Sequence, residues 1–341
     1  MTGSYKGYTF EDFFHDNMES ERASIRKNSE KLWNTYTLIK SKMKKELEVT
    51  KKSFPHYSSH DADHSENIII SVQKMLGEEH WKNITLTDAW MFLCCAYLHD
   101  IGMIISNKEL IEDMKTSEFT DFINKTKNSS DEHLRLAAEH ISILKKEEID
   151  HPFTWGVAIQ RDVMLLVAEF YRPKHANRVE KVIKERFSNY FQAILVENGF
   201  PSRIVSQIAE ISAMHGVSFE YMLEKLDIND SVLNITYHPR LVAILLRLGD
   251  LCDYDCDRFS IEWVEANGGL TKTNLIHYYK HQFVKKNDIS PEKIFIKVNI
   301  DFQKIKEEIS GEKEIVHHII EKDLRITEDY AQCEFCNLVV V

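Results

Sequence analysis

The chain has 341 residues, of which 43% are hydrophobic and 28% charged, and a formal net charge of −11. That length suits about two globular domains with a substantial core, and the composition excludes a disordered chain. The acidic balance argues against non-specific binding to duplex nucleic acid, which depends on Lys and Arg to neutralise phosphates, and leaves only a local basic groove for such a role.

Taken from the N-terminus, MTGSYKGYTFEDFFHDNMES lacks the charged-then-apolar layout of a secretory signal, and no later window holds the roughly 18–20 consecutive apolar residues of a spanning helix. A cytoplasmic protein with reduced thiols, unattached to membranes, is expected. Gly and Pro are scarce, 11 and 6 in number, so long helices are expected before turn-linked strands. From Glu21 to Glu48 the apolar positions Ile25, Leu32, Tyr36, Ile39, Met43 and Leu47 recur at helical spacing and predict one long amphipathic helix. The segment KKSFPHYSSHDADH breaks it at Pro55, and a loop rich in His and Asp leads into a second helix over Ser65–Leu76.

Asp88–Leu98 (DAWMFLCCAYL) is almost wholly apolar and reads as a helix buried on most sides, ending in His99-Asp100-Ile101-Gly102. Residues 106–150 are more polar and predict an insertion of short surface helices. Helical periodicity returns over Arg161–Tyr171, His175–Phe191, Pro201–Met214 and Arg240–Asp250. Further on, Ile294, Ile296, Val298, Ile300 and Phe302 alternate with Phe295, Lys297, Asn299 and Asp301, the period of two of a strand. The chain ends on the apolar run Asn337–Val341, from which a longer polypeptide, cut within a strand, is expected. The predicted architecture is mainly α. Residues 1–260 form a helical domain with an N-terminal extension (1–50) and the 106–150 insertion, and residues 261–341 form a small α+β segment.

Sixteen histidines are the compositional oddity. Six positions stand out in order, His64, the pair His99-Asp100, His175, His215 and Asp250, each at the end or on the inner side of an apolar helix. Neutral imidazoles and carboxylates brought together from separate packed helices are what a divalent metal site in a bundle core requires. His99 and Asp100 diverge by about 100° on a helix, so the pair serves two ligand directions at a helix end, with Gly102 expected to relax the chain just after.

The motifs around these positions are H64-S65-E66-N67-I68, L98-H99-D100-I101-G102, R172-P-K-H175-A-N-R178, A213-M214-H215-G216 and L245-L246-R247-L248-G249-D250. Over residues 56–258 they resemble, in order and type, the HD superfamily of metal-dependent phosphohydrolases in its six-ligand form. The set resembles HD domains of large multidomain prokaryotic proteins, some fused to chaperone-type ATPase modules, so a downstream ATPase-type domain is a partner the resemblance implies. It also implies an HD-type helical bundle in which His64, His99, Asp100 and Asp250 hold one divalent ion, while His175 and His215 complete a second site bridged by Asp100. Mn, Fe, Ni, Mg or Zn would each satisfy such ligands. Two ions about 3.5–4 Å apart would activate a water for attack on a phosphoester or phosphoanhydride of a nucleotide or of single-stranded nucleic acid. Arg172, Lys174 and Arg178, beside His175, are candidates to clamp phosphate.

The chain departs from the superfamily's cyclic-dinucleotide phosphodiesterases, which continue H-D-I-G with Lys where Met103 stands, and which end a paired-His motif in G-Y-P where this chain reads Gly216-Val217-Ser218. The missing lysine and the abrupt C-terminus motivate an alternative function, a non-catalytic nucleotide-sensing module of a larger protein. A purely structural helical scaffold is a third. Among the remaining candidates, His60 would face the site only if its helix began early, and His133 and His140 share a face of a surface helix. Asp253, Asp255 and Asp257 are read as a plain polar helix end, the alternatives being weak cation binding or orientation of Arg258. Cys333-x-x-Cys336 would be a zinc half-site only with a second pair of ligands.

Overall fold

Thr9 starts the first helix. Its hydroxyl accepts from the Asp12 amide while the Asp12 carboxylate accepts from the Thr9 amide, the reciprocal cap that opens α1 (Phe10–Met18). That T-x-x-D signal was present in the sequence, ahead of the long helix predicted there. The computed structural model describes residues 6–53, 62–152, 155–254, 270–299 and 339–340. Within them, α2 (Ala23–Ser53) buries the predicted stripe of Leu32, Tyr36, Ile39, Met43 and Leu47 against the core. The next helix, α3 (Ala62–Leu76), begins earlier than predicted, so His64 lies in its first turn and not in the preceding loop.

Every residue of α4 (Leu86–Leu98) is buried, as a helix apolar all round must be. Thr85 and Asp88 form its N-terminal capping box. The same Asp88 carboxylate accepts from the His238 amide at 2.6 Å and faces its ring Nδ1 at 2.9 Å, which ties the start of α4 to the start of α14 (Pro239–Leu251). Helices α2, α3, α12 (Ile204–Ala213) and α14 all pack against α4, which therefore forms the axis of the bundle. No single described helix is long and apolar enough to cross a membrane.

Residues 106–150 form the short helices α5 (Asn107–Asp113), α6 (Ser117–Thr126), α7 (Glu132–Ser142) and α8 (Lys146–Asp150). With α9 (Val157–Tyr171) they enclose an apolar cluster of their own around Phe119, Ile123, Ala138, Leu166 and Phe170. The helix predicted over His175–Phe191 is divided into α10 (His175–Arg186) and α11 (Ser188–Phe191), and a π turn (Gln192–Val196) continues it. The break at Phe187 allows Phe187, Phe191 and Leu195 all to enter the main core.

Two elements carried no clear signal. One is α13 (Phe219–Lys225); the other is the hairpin of β1 (Asp230–Val232) and β2 (Ile235–Tyr237), turned by Leu233 and Asn234 at φ 54° and 61°. Paired positive φ values belong to the tight turn that hairpin twist favours, and Leu is an unusual residue in it, which hid the hairpin. After α15 (Lys272–Phe283), β3 (Val284–Ile289) pairs antiparallel with β4 (Lys293–Val298), and β5 (Val339–Val340) joins β4 in parallel. The predicted alternation is thus realised over Lys293–Val298, with Ile294 buried. Pro291 lies against Gly77, and Asn287 donates to the Cys252 carbonyl, so the strands sit at the ends of α3 and α14. Ile300, Phe302, His56, His60, Asp255, Cys256, Asp257, Arg258, His317, His318, Cys333 and Cys336 lie outside the described residues. The architecture is mainly α with a small strand-containing C-terminal part.

Candidate metal centre

Six side chains from five elements converge at one end of α4. His64 comes from the first turn of α3, His99 and Asp100 from the end of α4, and His175 from the first residue of α10. His215 comes from the 3-10 turn after α12 (Met214–Gly216), and Asp250 from the last turn of α14. His64 Nε2 lies 3.2 Å from His99 Nε2 and 3.4 Å from Asp250 Oδ1. His175 Nε2 lies 2.9 Å from His215 Nε2. Asp100 stands between the two groups: Oδ2 is 3.0 Å from His99 Nε2 and 3.5 Å from His64 Nε2, and Oδ1 is 3.6 Å from His175 and 3.8 Å from His215. The six residues thus form two candidate ligand groups, His64/His99/Asp250 and Asp100/His175/His215, each with its donor atoms within 4.8 Å of one another.

The hydrogen bonds behind the rings decide what faces inward. His99 Nδ1 meets the Ala96 carbonyl at 3.1 Å, His175 Nδ1 the Arg172 carbonyl at 2.6 Å, and His215 Nδ1 the Ser212 carbonyl at 2.6 Å. A carbonyl only accepts, so each of these Nδ1 atoms carries the proton, and in the neutral ring Nε2 presents a lone pair. His64 Nδ1 meets the Asp253 carboxylate at 2.6 Å, and Asn67 Nδ2 donates to the other Asp253 oxygen at 3.1 Å. The Nε2 lone pairs therefore face each other in two pairs, His64 with His99 across 3.2 Å and His175 with His215 across 2.9 Å. Carbonyl or carboxylate support behind a ring, with Nε2 free in front, is the usual outer shell of a metal-bound histidine. A cation is what relieves such an arrangement, and the donor set of imidazoles and carboxylates fits a divalent one.

The local chain accounts for how the rings are splayed. Asp100 sits at φ −96°, ψ 3°, the bridge conformation in which the helix ends, and the Met103 amide closes the turn on the Asp100 carbonyl at 2.9 Å. Gly102 serves a different purpose from the chain relaxation expected of it. A Cβ there would fall 1.9 Å from the His175 carbonyl oxygen, so the absence of a side chain is what lets α10 approach. Gly216 does the same on the other side, where a Cβ would fall 2.5 Å from that of Ala176. The first turn of α10, and His175 with it, is held between two glycines.

The three cations expected to clamp phosphate are bound within the fold. Arg178 is buried, donates to the carbonyls of Gly102 and Ile104, and pairs with Glu109 at 2.9 Å, so it fastens α10 to the turn after Asp100. Arg172 donates to Asn274 on α15 and pairs with Glu169 at 3.3 Å. Lys174 pairs with Glu118 and lies over the Phe170 ring. His140 makes an exposed pair with Asp162 at 2.7 Å, and neither it nor His133 joins the cluster. Asp253, expected as part of a polar helix end, accepts from His64 Nδ1 and so orients that ring. The i, i+3 spacing from Asp250 was the sequence signal for it.

Burial pushes the Cys95 and Cys252 thiols up to about 12, so neither supplies a thiolate nucleophile. The His215 ring is pushed down to about 3 by burial, with His99 and His175 adding to the effect. An unfolded chain takes up that proton below about pH 6.5. Because the unfolded state protonates first, this contribution to stability is complete above about pH 6.5 and is lost as pH falls towards the folded value. Chelator-treated protein is expected to lose about 2 kcal/mol of urea-measured stability between pH 7 and pH 5 through this ring. His215→Gln should flatten the slope, and equal slopes in the two proteins would contradict the assignment.

A family model described as HD-CE matches residues 54–331. No curated protein and no solved structure matches the chain.

Proposed function

The chain belongs to the HD-CE family, and on that premise we propose that it is a metal-dependent phosphohydrolase acting on a phosphoester or phosphoanhydride of a nucleotide or single-stranded nucleic acid. The observation that carries this reading is the pair of adjoining donor groups with Asp100 between them, one carboxylate oxygen towards each. His64, His99 and Asp250 would hold one divalent ion, Asp100, His175 and His215 a second, with Asp100 shared. When bound, two such ions supply Lewis-acid charge for phosphoryl oxygens and acidify water, which removes the need for a serine or cysteine nucleophile.

The protein's own part is positional. The Ala96, Arg172 and Ser212 carbonyls and the Asp253 carboxylate keep the protons on Nδ1, so that every Nε2 is available as a ligand without rearrangement. Asp253 is the one charged member of that set, and it makes His64 the most electron-rich of the four rings. Burial of His64, His99, Asp100 and His215 keeps bulk water from one side, while His175 and Asp250, with side chains 24% and 23% exposed, form the open side by which substrate enters.

Elemental analysis of the purified protein, followed by a hydrolysis panel, tests the proposal. The panel comprises nucleotides, p-nitrophenyl phosphate and bis-p-nitrophenyl phosphate with added Mn²⁺, Ni²⁺ or Mg²⁺. Two divalent equivalents per chain and chelator-sensitive turnover are expected. Absence of metal overturns the whole reading, and tight metal without any turnover overturns its catalytic half.

A further inference from the structure

Arg247 lies one helical turn before Asp250 on α14, and its side chain is 15% exposed. Other arginines of the bundle are held by good acceptors. Arg178 has two carbonyls and Glu109, Arg240 has the Leu223 and Leu226 carbonyls at 2.7 Å, and Arg203 forks onto Asp230 at 2.8 and 2.9 Å. Arg247 is different. Its Nε is buried without any hydrogen-bond acceptor, and the sole ion-pair distance it makes among the described residues is 3.9 Å, from Nη1 to Asp250 Oδ2. A buried guanidinium N–H with no acceptor is costly, and native structures keep such groups rarely and for a reason.

The reason lies in its neighbour. Asp250 turns Oδ1 to the His64 ring and Oδ2 to Arg247, so one carboxylate separates the guanidinium from the ligand cluster. We infer that Arg247 is the phosphate-binding side chain of this centre and that it selects a terminal phosphate over a phosphodiester. The inference rests on the phosphohydrolase reading and narrows its substrate class.

The selectivity follows from counting oxygens. A guanidinium binds phosphate best through two parallel N–H···O bonds to two non-bridging oxygens. A terminal phosphoryl group has three non-bridging oxygens, so two can meet the fork while the third faces the histidine cluster. A phosphodiester has only two, so with both on Arg247 the cluster must share an oxygen that the fork already holds, a weaker arrangement. A phosphomonoester or the end of a nucleotide polyphosphate chain satisfies both partners at once.

The test uses metal-loaded protein and inorganic phosphate as the probe, measured by titration calorimetry in wild type, Arg247→Gln and Arg247→Lys. Loss of charge-assisted hydrogen bonds predicts phosphate binding about 10- to 100-fold weaker in Arg247→Gln and a smaller loss in Arg247→Lys, which keeps the charge but not the fork. Metal stoichiometry and thermal midpoint should be unchanged in Arg247→Lys. The ratio of kcat/KM for p-nitrophenyl phosphate over bis-p-nitrophenyl phosphate should fall in both variants. Phosphate affinity equal to wild type in Arg247→Gln, or a wild type that holds metal but binds no phosphate, overturns the inference while leaving the metal centre standing. A wild type that holds no metal overturns the centre itself, and the inference with it.

Discussion

On the proposed two-ion reading, Asp100→Asn is expected to remove both metal equivalents and to lower hydrolysis on the order of 10³-fold or more, since several kcal/mol of Lewis-acid stabilisation would depend on the ions it would help hold. The amide keeps the shape of the carboxylate and loses its charge. Asp100 is the only one of the six with an oxygen towards each group, at 3.0 Å from His99 Nε2 on one side and 3.6 Å from His175 Nε2 on the other. His175→Ala, by contrast, should spare the His64/His99/Asp250 group and leave one equivalent. Elemental analysis distinguishes the two variants directly. Two equivalents retained in Asp100→Asn would mean that the carboxylate does not bridge.

Gly102→Ala should be the most damaging Gly→Ala change among the described glycines. The added Cβ would lie 1.9 Å from the His175 carbonyl oxygen and 2.9 Å from its carbon, both backbone atoms that no side-chain rotation can clear. Either α10 moves away from the turn after Asp100 or the turn itself opens, and each displaces His175. The Arg178 bond to the Gly102 carbonyl, 2.8 Å long, would be strained by the same movement. A cost of roughly 3–5 kcal/mol follows from overpacking against backbone with loss of a buried charged hydrogen bond, seen as a thermal midpoint lower by about 5–10 °C. Calorimetry on the metal-free variant measures this without recourse to activity. A midpoint equal to that of wild type would show that the contact relaxes freely.

Much of the helical body was legible because its determinants are local. The stripe Leu32, Tyr36, Ile39, Met43, Leu47 and the apolar run of α4 are repeated within three or four residues, the range over which a helix selects its buried face. The order of the six His and Asp positions was legible for a related reason: each stands at a helix end, marked by its own short motif. The hairpin at Leu233-Asn234 was not, because its turn departs from the usual residues, and the break at Phe187 was not, because apolar periodicity continues across it.

The partners of the charged side chains could be known only from the fold. From the sequence, Arg172, Lys174 and Arg178 flank a candidate ligand and invite a phosphate. In space, Asn274 and Glu169, Glu118, and Glu109 with two carbonyls engage them, across as many as 102 positions for Arg172 and Asn274. Arg247 has no such acceptors among the described residues, and the role inferred for it is one that sequence position alone would give to the other three. Asp253 and His64 are 189 positions apart, and nothing short of tertiary packing could assign the one to the other. The kinds of atoms able to bind a cation are a property of the residues and their helices, and so belong to the sequence. Which lone pairs face each other, and which charges are left without a counterpart, depend on distances of a few ångströms between remote segments, and only the packed chain decides those.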